Sequence, residues 1–301
     1  MSKVSIIGVG KVGGLLTHYL LQDKKISELV LIDIVKEKVE GLVEDLSDGF
    51  PDFAYKLKIG EYSDTAGSDI IVVAAGIPRQ PDTKTRMDLL AINKNIYSEF
   101  INKLGFDSDT IFINVTNPVE PLGYYLLKQT KQDPKKVIGF GNILDTERLK
   151  LFISQKLNIP PSSIDCLVIG EHGEEMIPIF SLSKINGRPL SEFGVDLDEI
   201  QGLLRGRGPD IIRLLGGTQF GPAYHTYNLI TSILDDQKKI YPISFYLNKN
   251  KFYGLENVFI SLPAQVGRSG IEKAVEIDIS DQEKNHLLLL AEKLRTIQQL
   301  I

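Results

Sequence analysis

A single strand–turn–helix near the start of the chain restricts its fold more than any other feature. The apolar run Val4-Ser5-Ile6-Ile7 leads directly into Gly8-Val9-Gly10-Lys11-Val12-Gly13, and an amphipathic pattern over Val12–Leu21 follows. This is G-x-G-x-x-G in the context that gives each glycine its own task. The first makes the tight turn, the second lets backbone approach a pyrophosphate, and the third lets helix and strand pack closely, while the helix N-terminus faces the phosphate charge. Glycine-rich turns alone are common in proteins of every kind, so a second residue matters. Asp33 ends the run Leu29-Val30-Leu31-Ile32, twenty residues after Gly13. An acid at that distance accepts hydrogen bonds from ribose hydroxyls and repels an added 2′-phosphate. The predicted cofactor is therefore NAD rather than NADP, with Gly8, Val9, Gly10, Lys11, Val12 and Gly13 around the pyrophosphate and Asp33 at the ribose.

The first half continues the same grammar. A helical pattern at Val39–Leu46 is followed by strand candidates Ile70–Ala74, Ile111–Val115 and Val137–Ile138, with helices expected near Met87–Leu104 and Val119–Lys128. Strands and helices in alternation predict βαβ units and a doubly wound parallel sheet complete by about residue 140. The second half mixes its elements. A helix over Asp145–Leu157 precedes strand candidates Ser163–Ile169 and Ile177–Leu182, and a helical stretch is expected to break at Gly206-Arg207-Gly208-Pro209. A long helix from Pro222 to Leu234, strands Ile243–Leu247 and Val258–Leu262, and a closing helix after the capping signal Ser280-Asp281-Gln282-Glu283 complete the pattern. The predicted fold class is α/β: a Rossmann-type doubly wound parallel sheet followed by a mixed α+β domain. At 301 residues the chain exceeds one ordinary core, so an NAD-binding domain over 1–141 and a substrate-binding, catalytic domain over 142–301 are expected.

Composition removes other classes. A formal net charge of −5 without long basic runs offers nothing to nucleic acid, and no apolar stretch is long enough for a membrane span. Met1-Ser2-Lys3 runs straight into a strand rather than a leader, which suits a cytoplasmic enzyme. The single cysteine, Cys166, lies in an apolar run and reads as packing, and the four dispersed histidines leave no metal constellation.

Among those histidines, His18, His225 and His286 fall within helical patterns and read as surface or packing. His172 stands in Ile169-Gly170-Glu171-His172-Gly173-Glu174, after an apolar strand and between glycines that let a ligand come close. Histidine titrates nearest neutrality and so suits proton transfer. Asp145 and Arg148 lie three residues apart in a helical pattern, hence on roughly one face. The aspartate can orient a protonated imidazole, and the arginine offers a planar fork for a carboxylate. Without His172 the pair would read simply as a local ion pair.

The chain resembles the lactate/malate dehydrogenase family over essentially its whole length. It carries, in order, Gly8–Gly13, Asp33, Ala75-Gly76-Ile77-Pro78-Arg79, Thr85-Arg86-Met87-Asp88-Leu89-Leu90, Val115-Thr116-Asn117-Pro118, Asp145-Thr146-Glu147-Arg148 and Gly170-Glu171-His172-Gly173. The resemblance implies a hydride transfer between NAD and a small 2-hydroxy acid, with His172 as acid/base, Asp145 its partner, and Arg148 the clamp on the C1 carboxylate. It implies Arg86 on a loop that closes over the reacting carbonyl, Asn117 beside substrate and nicotinamide, and Asn93, Val115 and Thr116 near the cofactor. Arg79 takes the loop position where the family's malate enzymes carry arginine and its lactate enzymes usually carry glutamine. Oxaloacetate, with two carboxylates, gives that cation a partner, whereas pyruvate would leave it unpaired. Malate/oxaloacetate is thus the expected pair, with lactate/pyruvate the alternative, since Glu171 and Thr218 suit both. A catalytically silent NAD-binding protein would not require His172, Asp145, Arg148 and Arg86 together. A homotetramer or homodimer is implied as well.

Overall fold

A computed structural model describes residues 2–78, 86–248 and 252–301. Six parallel strands form its centre: β1 (Ser2–Ile7), β2 (Ile26–Ile32), β3 (Leu57–Ile59), β4 (Ile70–Val73), β5 (Ile111–Asn114) and β6 (Val137–Gly139), ordered β3-β2-β1-β4-β5-β6. Helices α1 (Lys11–Leu21), α2 (Lys36–Gly49), α3 (Arg86–Phe100) and α4 (Val119–Thr130) cover its two faces. Both faces being covered, the strands are nearly continuous apolar runs, and β4 and β5 are buried throughout. Side chains alternate between two cores. Ile6, Val72 and Ile113 pack with Leu16 and Leu20 of α1, whereas Ile7, Val73 and Phe112 pack with Tyr97 and Phe100 of α3 and Leu122 of α4.

The strand order reverses at β1, which pairs with β2 on one side and β4 on the other. A crevice therefore opens beyond the carboxyl ends of these strands, the usual ligand position in such sheets.

Past β6 come α5 (Ile143–Leu157), then five two-residue strands: β7 (Ile164–Asp165), β8 (Val168–Ile169), β9 (Ile177–Pro178), β10 (Lys184–Ile185) and β11 (Arg188–Pro189). α6 (Leu197–Leu215), α7 (Phe220–Leu234), β12 (Lys239–Leu247), β13 (Val258–Gly267), β14 (Gly270–Ala274) and α8 (Asp281–Gln299) follow. The predicted strand Ser163–Ile169 is split into β7 and β8, and of the predicted Ile177–Leu182 only Ile177–Pro178 pairs, Phe180–Leu182 forming a 3-10 turn.

The expected break at Gly206–Pro209 is absent: α6 runs through Pro209. Proline forfeits the bond to the carbonyl four residues back and crowds that carbonyl with its ring. Around that loss the helix is held by Asp196, which accepts the Asp198 and Glu199 N–H groups, and by buried Ile200 and Leu204. The closing helix begins as its sequence predicts, with Glu283 N donating to Ser280 Oγ and Ser280 N to Glu283 Oε2.

Strands β12–β14 return to the first half's sheet. β12 runs antiparallel to β6 with Ser244 opposite Gly139, giving nine strands in the order β14-β13-β12-β6-β5-β4-β1-β2-β3. A side chain at Gly139 would stand 2.8 Å from both Ser244 Cβ and Val119 Cγ1, so only glycine allows this approach. A separate core of Leu149, Phe152, Ile164, Val168, Ile200 and Leu204 lies between α5 and α6. No helix among the described residues is long and apolar enough to cross a membrane.

Candidate active site

The glycine turn occupies the crevice. Gly8 has φ +92°, and an added Cβ would lie 2.5 Å from the Ala75 backbone, so the loops after β1 and β4 approach only because it is glycine. Gly13 is tighter: its Cβ would sit 2.0 Å from the Gly8 carbonyl oxygen. Gly10 differs, for among the described residues only Lys38 Nζ lies within 4 Å of its Cβ position. Its bareness serves access rather than packing. As the N-cap of α1 it supplies no side chain, and no acid stands in that helix's first turn, unlike the N-termini of α6 and α8. The free N–H groups and positive end of α1 thus face the crevice, a cradle suited to pyrophosphate.

Asp33 caps the turn: its Oδ2 accepts Val9 N at 2.9 Å and its Oδ1 accepts Val35 N at 3.2 Å. Each oxygen retains a second acceptor site for a ribose hydroxyl. Val9 is buried and Val12 packs on the core. The Lys11 side chain runs away from the turn, donating to the carbonyls of Leu215 at 2.9 Å and Gly216 at 3.1 Å at the end of α6. Only its backbone is left to meet a cofactor.

The opposite wall is made by the loops after β4 and β5. Asn93 of α3 is fully buried beneath them; its Oδ1 accepts Ile77 N at 2.8 Å and its Nδ2 donates to Asn117 O at 2.7 Å. It thus bonds to both loops. Val115 N donates to Val73 O, and Thr116 Oγ1 donates to Ala75 O at 2.9 Å. The Asn117 side chain is exposed, and its bond to Pro118 is cis. Asn114, which the sequence reading did not single out, holds this corner from below: it accepts Tyr97 Oη and Thr116 N and donates to Val119 O. Arg79 lies outside the described residues, and Arg86 heads α3 with its side chain likewise outside them.

His172, Asp145 and Arg148 meet. Gly170, at φ +101°, turns the chain after β8, and its backbone bridges Ser261 of β13. His172 Nδ1 then lies 2.7 Å from Oδ2 of Asp145, in the first turn of α5 and wholly buried, while Arg148 stands 3.4 Å from Oδ1 one turn further on. Burial by itself would lower the imidazole's pKa and raise the carboxyl's. The contact outweighs it in both, so His172 is raised above 6.5 and Asp145 held below 3.8, Arg148 adding to the latter. With Nδ1 engaged, Nε2 of the partly exposed ring is the nitrogen left for a ligand.

Two supports were not legible. Asn142, the N-cap of α5, donates through Nδ2 to Asp145 Oδ2 at 2.9 Å and to Glu171 O at 2.8 Å, tying the histidine loop to the carboxylate. Glu120, in α4, is buried and accepts His172 N at 3.0 Å and Ser244 Oγ at 2.7 Å through one oxygen. Burial pushes its carboxyl up to about 7, with the charge of Glu171 adding to the effect. Its only sequence signal is an acid two residues after Asn117-Pro118, in an otherwise apolar helix start.

The remaining histidines stand apart. His18 packs edge-on against Tyr19 and Phe50, burial lowers His225, and His286 is on α8. The partly buried Cys166 thiol is pushed up to about 12 by burial. Among the described residues no group of His, Cys, Asp and Glu gathers as metal ligands.

Residues 2–139 match the family described as lactate/malate dehydrogenase, NAD binding domain, and residues 143–300 match its alpha/beta C-terminal domain. The chain is 36% identical over 300 residues to the malate dehydrogenase of Haloferax volcanii, with 98% of each covered. It is 34% identical over 306 residues to an L-lactate dehydrogenase of Clostridium botulinum, covering 98% of this chain and 95% of that one. The structure superposes at TM-score 0.90, with 28% identity and coverage of 100% and 98%, on the minor L-lactate dehydrogenase of Enterococcus mundtii in a ligand-bound form. Matched through both halves, and so near in sequence to one of its members, the chain belongs to the lactate/malate dehydrogenase family and is an NAD-dependent oxidoreductase of a small 2-hydroxy acid.

Proposed function

We propose that this enzyme interconverts malate and oxaloacetate. The observation that carries the reading is the meeting of His172, Asp145 and Arg148. NAD, when bound, accepts or supplies the hydride. His172 Nε2 donates a proton to the oxygen on which negative charge develops during reduction, and withdraws it during oxidation. Asp145 holds the ring in the tautomer that presents Nε2 and stabilises its charged form. Arg148 clamps the carboxylate next to the reacting carbon. Arg86, at the start of α3, polarises the carbonyl, and Asn117 borders substrate and nicotinamide. Arg79 meets the second carboxylate of oxaloacetate.

The 36% identity to the Haloferax volcanii malate dehydrogenase supports this substrate. Lactate/pyruvate is favoured instead by the 34% identity to the Clostridium botulinum L-lactate dehydrogenase. NADH oxidation measured side by side with the two keto acids decides between them. A kcat/KM higher for oxaloacetate, and an Arg79→Gln variant whose preference shifts toward pyruvate, are expected; a wild-type preference for pyruvate rejects the malate reading. The homodimer or homotetramer belongs to the same proposal, supported by Leu214, Leu215, Phe220 and Tyr224 standing exposed on α6 and α7. Light scattering in solution tests it.

A further inference from the structure

α6 places a second arginine beside the carboxylate clamp. The Arg207 guanidinium lies 4.6 Å from the centre of the Phe152 ring, over its face. Phe152 follows Arg148 by four residues on α5, so the two stand on one helix face, one turn apart. Arg207 thus extends the positive surface of Arg148 on the side away from Asp145. No ion pair joins Arg207 to a carboxylate among the described residues, and Arg148 has only the 3.4 Å contact with Asp145. Of the two guanidiniums only Arg148 meets a protein carboxylate among the described residues, and that carboxylate also faces His172. Burial pushes the Arg148 pKa down, and the charge of Arg207 acts in the same direction against the pull of Asp145.

Glycines precede and follow Arg207 at 206 and 208, and a Cβ on either would meet nothing within 4 Å among the described residues beyond the helix's own backbone. Pro209 removes an N–H that would bond the Arg205 carbonyl. A cation on open, weakened helix, stacked on an aromatic face and repelled by its neighbour, is best satisfied by an incoming anion.

We propose that Arg207 is a substrate-affinity residue: with Arg148 it forms a two-guanidinium pocket for the carboxylate adjoining the reacting carbon of the keto acid. This rests on the assignment of Arg148 to that carboxylate. The carboxylate is common to oxaloacetate and pyruvate, so Arg207 governs affinity for both alike and leaves discrimination to other residues.

The test compares wild type with Arg207→Gln, Arg207→Met, which keeps an apolar stem on Phe152, and Arg207→Lys, which keeps the charge. In NADH oxidation both neutral variants are expected to raise KM about tenfold, and by the same factor for each keto acid that the wild type turns over. kcat and the KM for NADH should change far less, and Arg207→Lys should recover most of the loss. The salt dependence of KM should flatten in the neutral variants. Unchanged KM values, a rise confined to one of two substrates that are both turned over, or a fall in kcat alone would overturn the proposal. A readout without turnover separates it from the substrate assignment: sodium oxalate, which cannot be reduced, should raise the thermal midpoint of the wild type with NADH more than that of Arg207→Gln. If it does so while neither keto acid is consumed, the substrate assignment fails and Arg207 stands. If turnover proceeds and oxalate protects both proteins equally, Arg207 falls alone.

Discussion

Burial strips Asp145 of water, so its charge is met inside the protein, by His172 Nδ1 at 2.7 Å, Asn142 Nδ2 at 2.9 Å and Arg148 at 3.4 Å. The pair has a signed pH dependence. His172, raised above 6.5, adds stability that is whole below pH 6.5 and is lost as pH climbs through its folded value; Asp145, lowered, adds stability that is lost as pH falls below 3.8 through its own. For turnover, His172→Ala is expected to lower kcat at least a hundredfold while NADH still binds, as read by nucleotide fluorescence. Near-normal turnover would remove His172 from proton transfer. Glu120 acts in the opposite sense to Asp145. Its carboxyl, raised from 4.5 to about 7, favours the folded state most at low pH and progressively less between those values. Glu120→Gln is therefore expected to flatten the pH dependence of the denaturation midpoint between pH 4.5 and 7, and an unchanged slope would contradict the assignment. His172, Asp145 and Arg148 were legible because their chemistry is unusual for their positions. Glu120 and Asn142 were not, since what makes them matter is burial against β12 and the histidine loop, which no local pattern announces.

At the scale of elements, β1 and α1 illustrate how a glycine's meaning depends on what faces it. Gly13→Ala puts a methyl 2.0 Å from the Gly8 carbonyl and is expected to cost about 3 kcal/mol or more, read from urea denaturation. Gly41→Ala, inside α2 with nothing within 4 Å of its Cβ position among the described residues, should instead gain roughly 0.5–1 kcal/mol from helix propensity. Equal effects at the two sites would refute the packing account. The parallel strands and their helices were readable because each carries a long apolar run or a helical period. β7 to β11 were not, because two residues cannot display a period of two. The capping box at Ser280 was visible because both its partners lie within one turn, whereas Pro209 misled because its cost is local and the anchors of α6 are not.

Across the whole molecule, the Rossmann half followed from the alternation of its elements, but the course of the sheet did not. Strand patterns at 243–247 and 258–262 say nothing of which edge they join, and here the partner is β6, more than a hundred residues earlier. The pairing depends on Gly139 lacking a side chain opposite Ser244, and Ser244 also donates to Glu120 beneath His172. One hydroxyl thus connects the sheet's seam to the histidine loop. That seam bears on any attempt to dissect the protein. A fragment of residues 1–141 would leave β6 as a bare, apolar outer strand with its hydrogen-bonding groups unmatched, a template for self-association. Produced alone, it should appear as soluble aggregates by light scattering rather than as a monodisperse nucleotide-binding module. Two stretches of chain that look separable on paper are thereby joined where β12 meets β6.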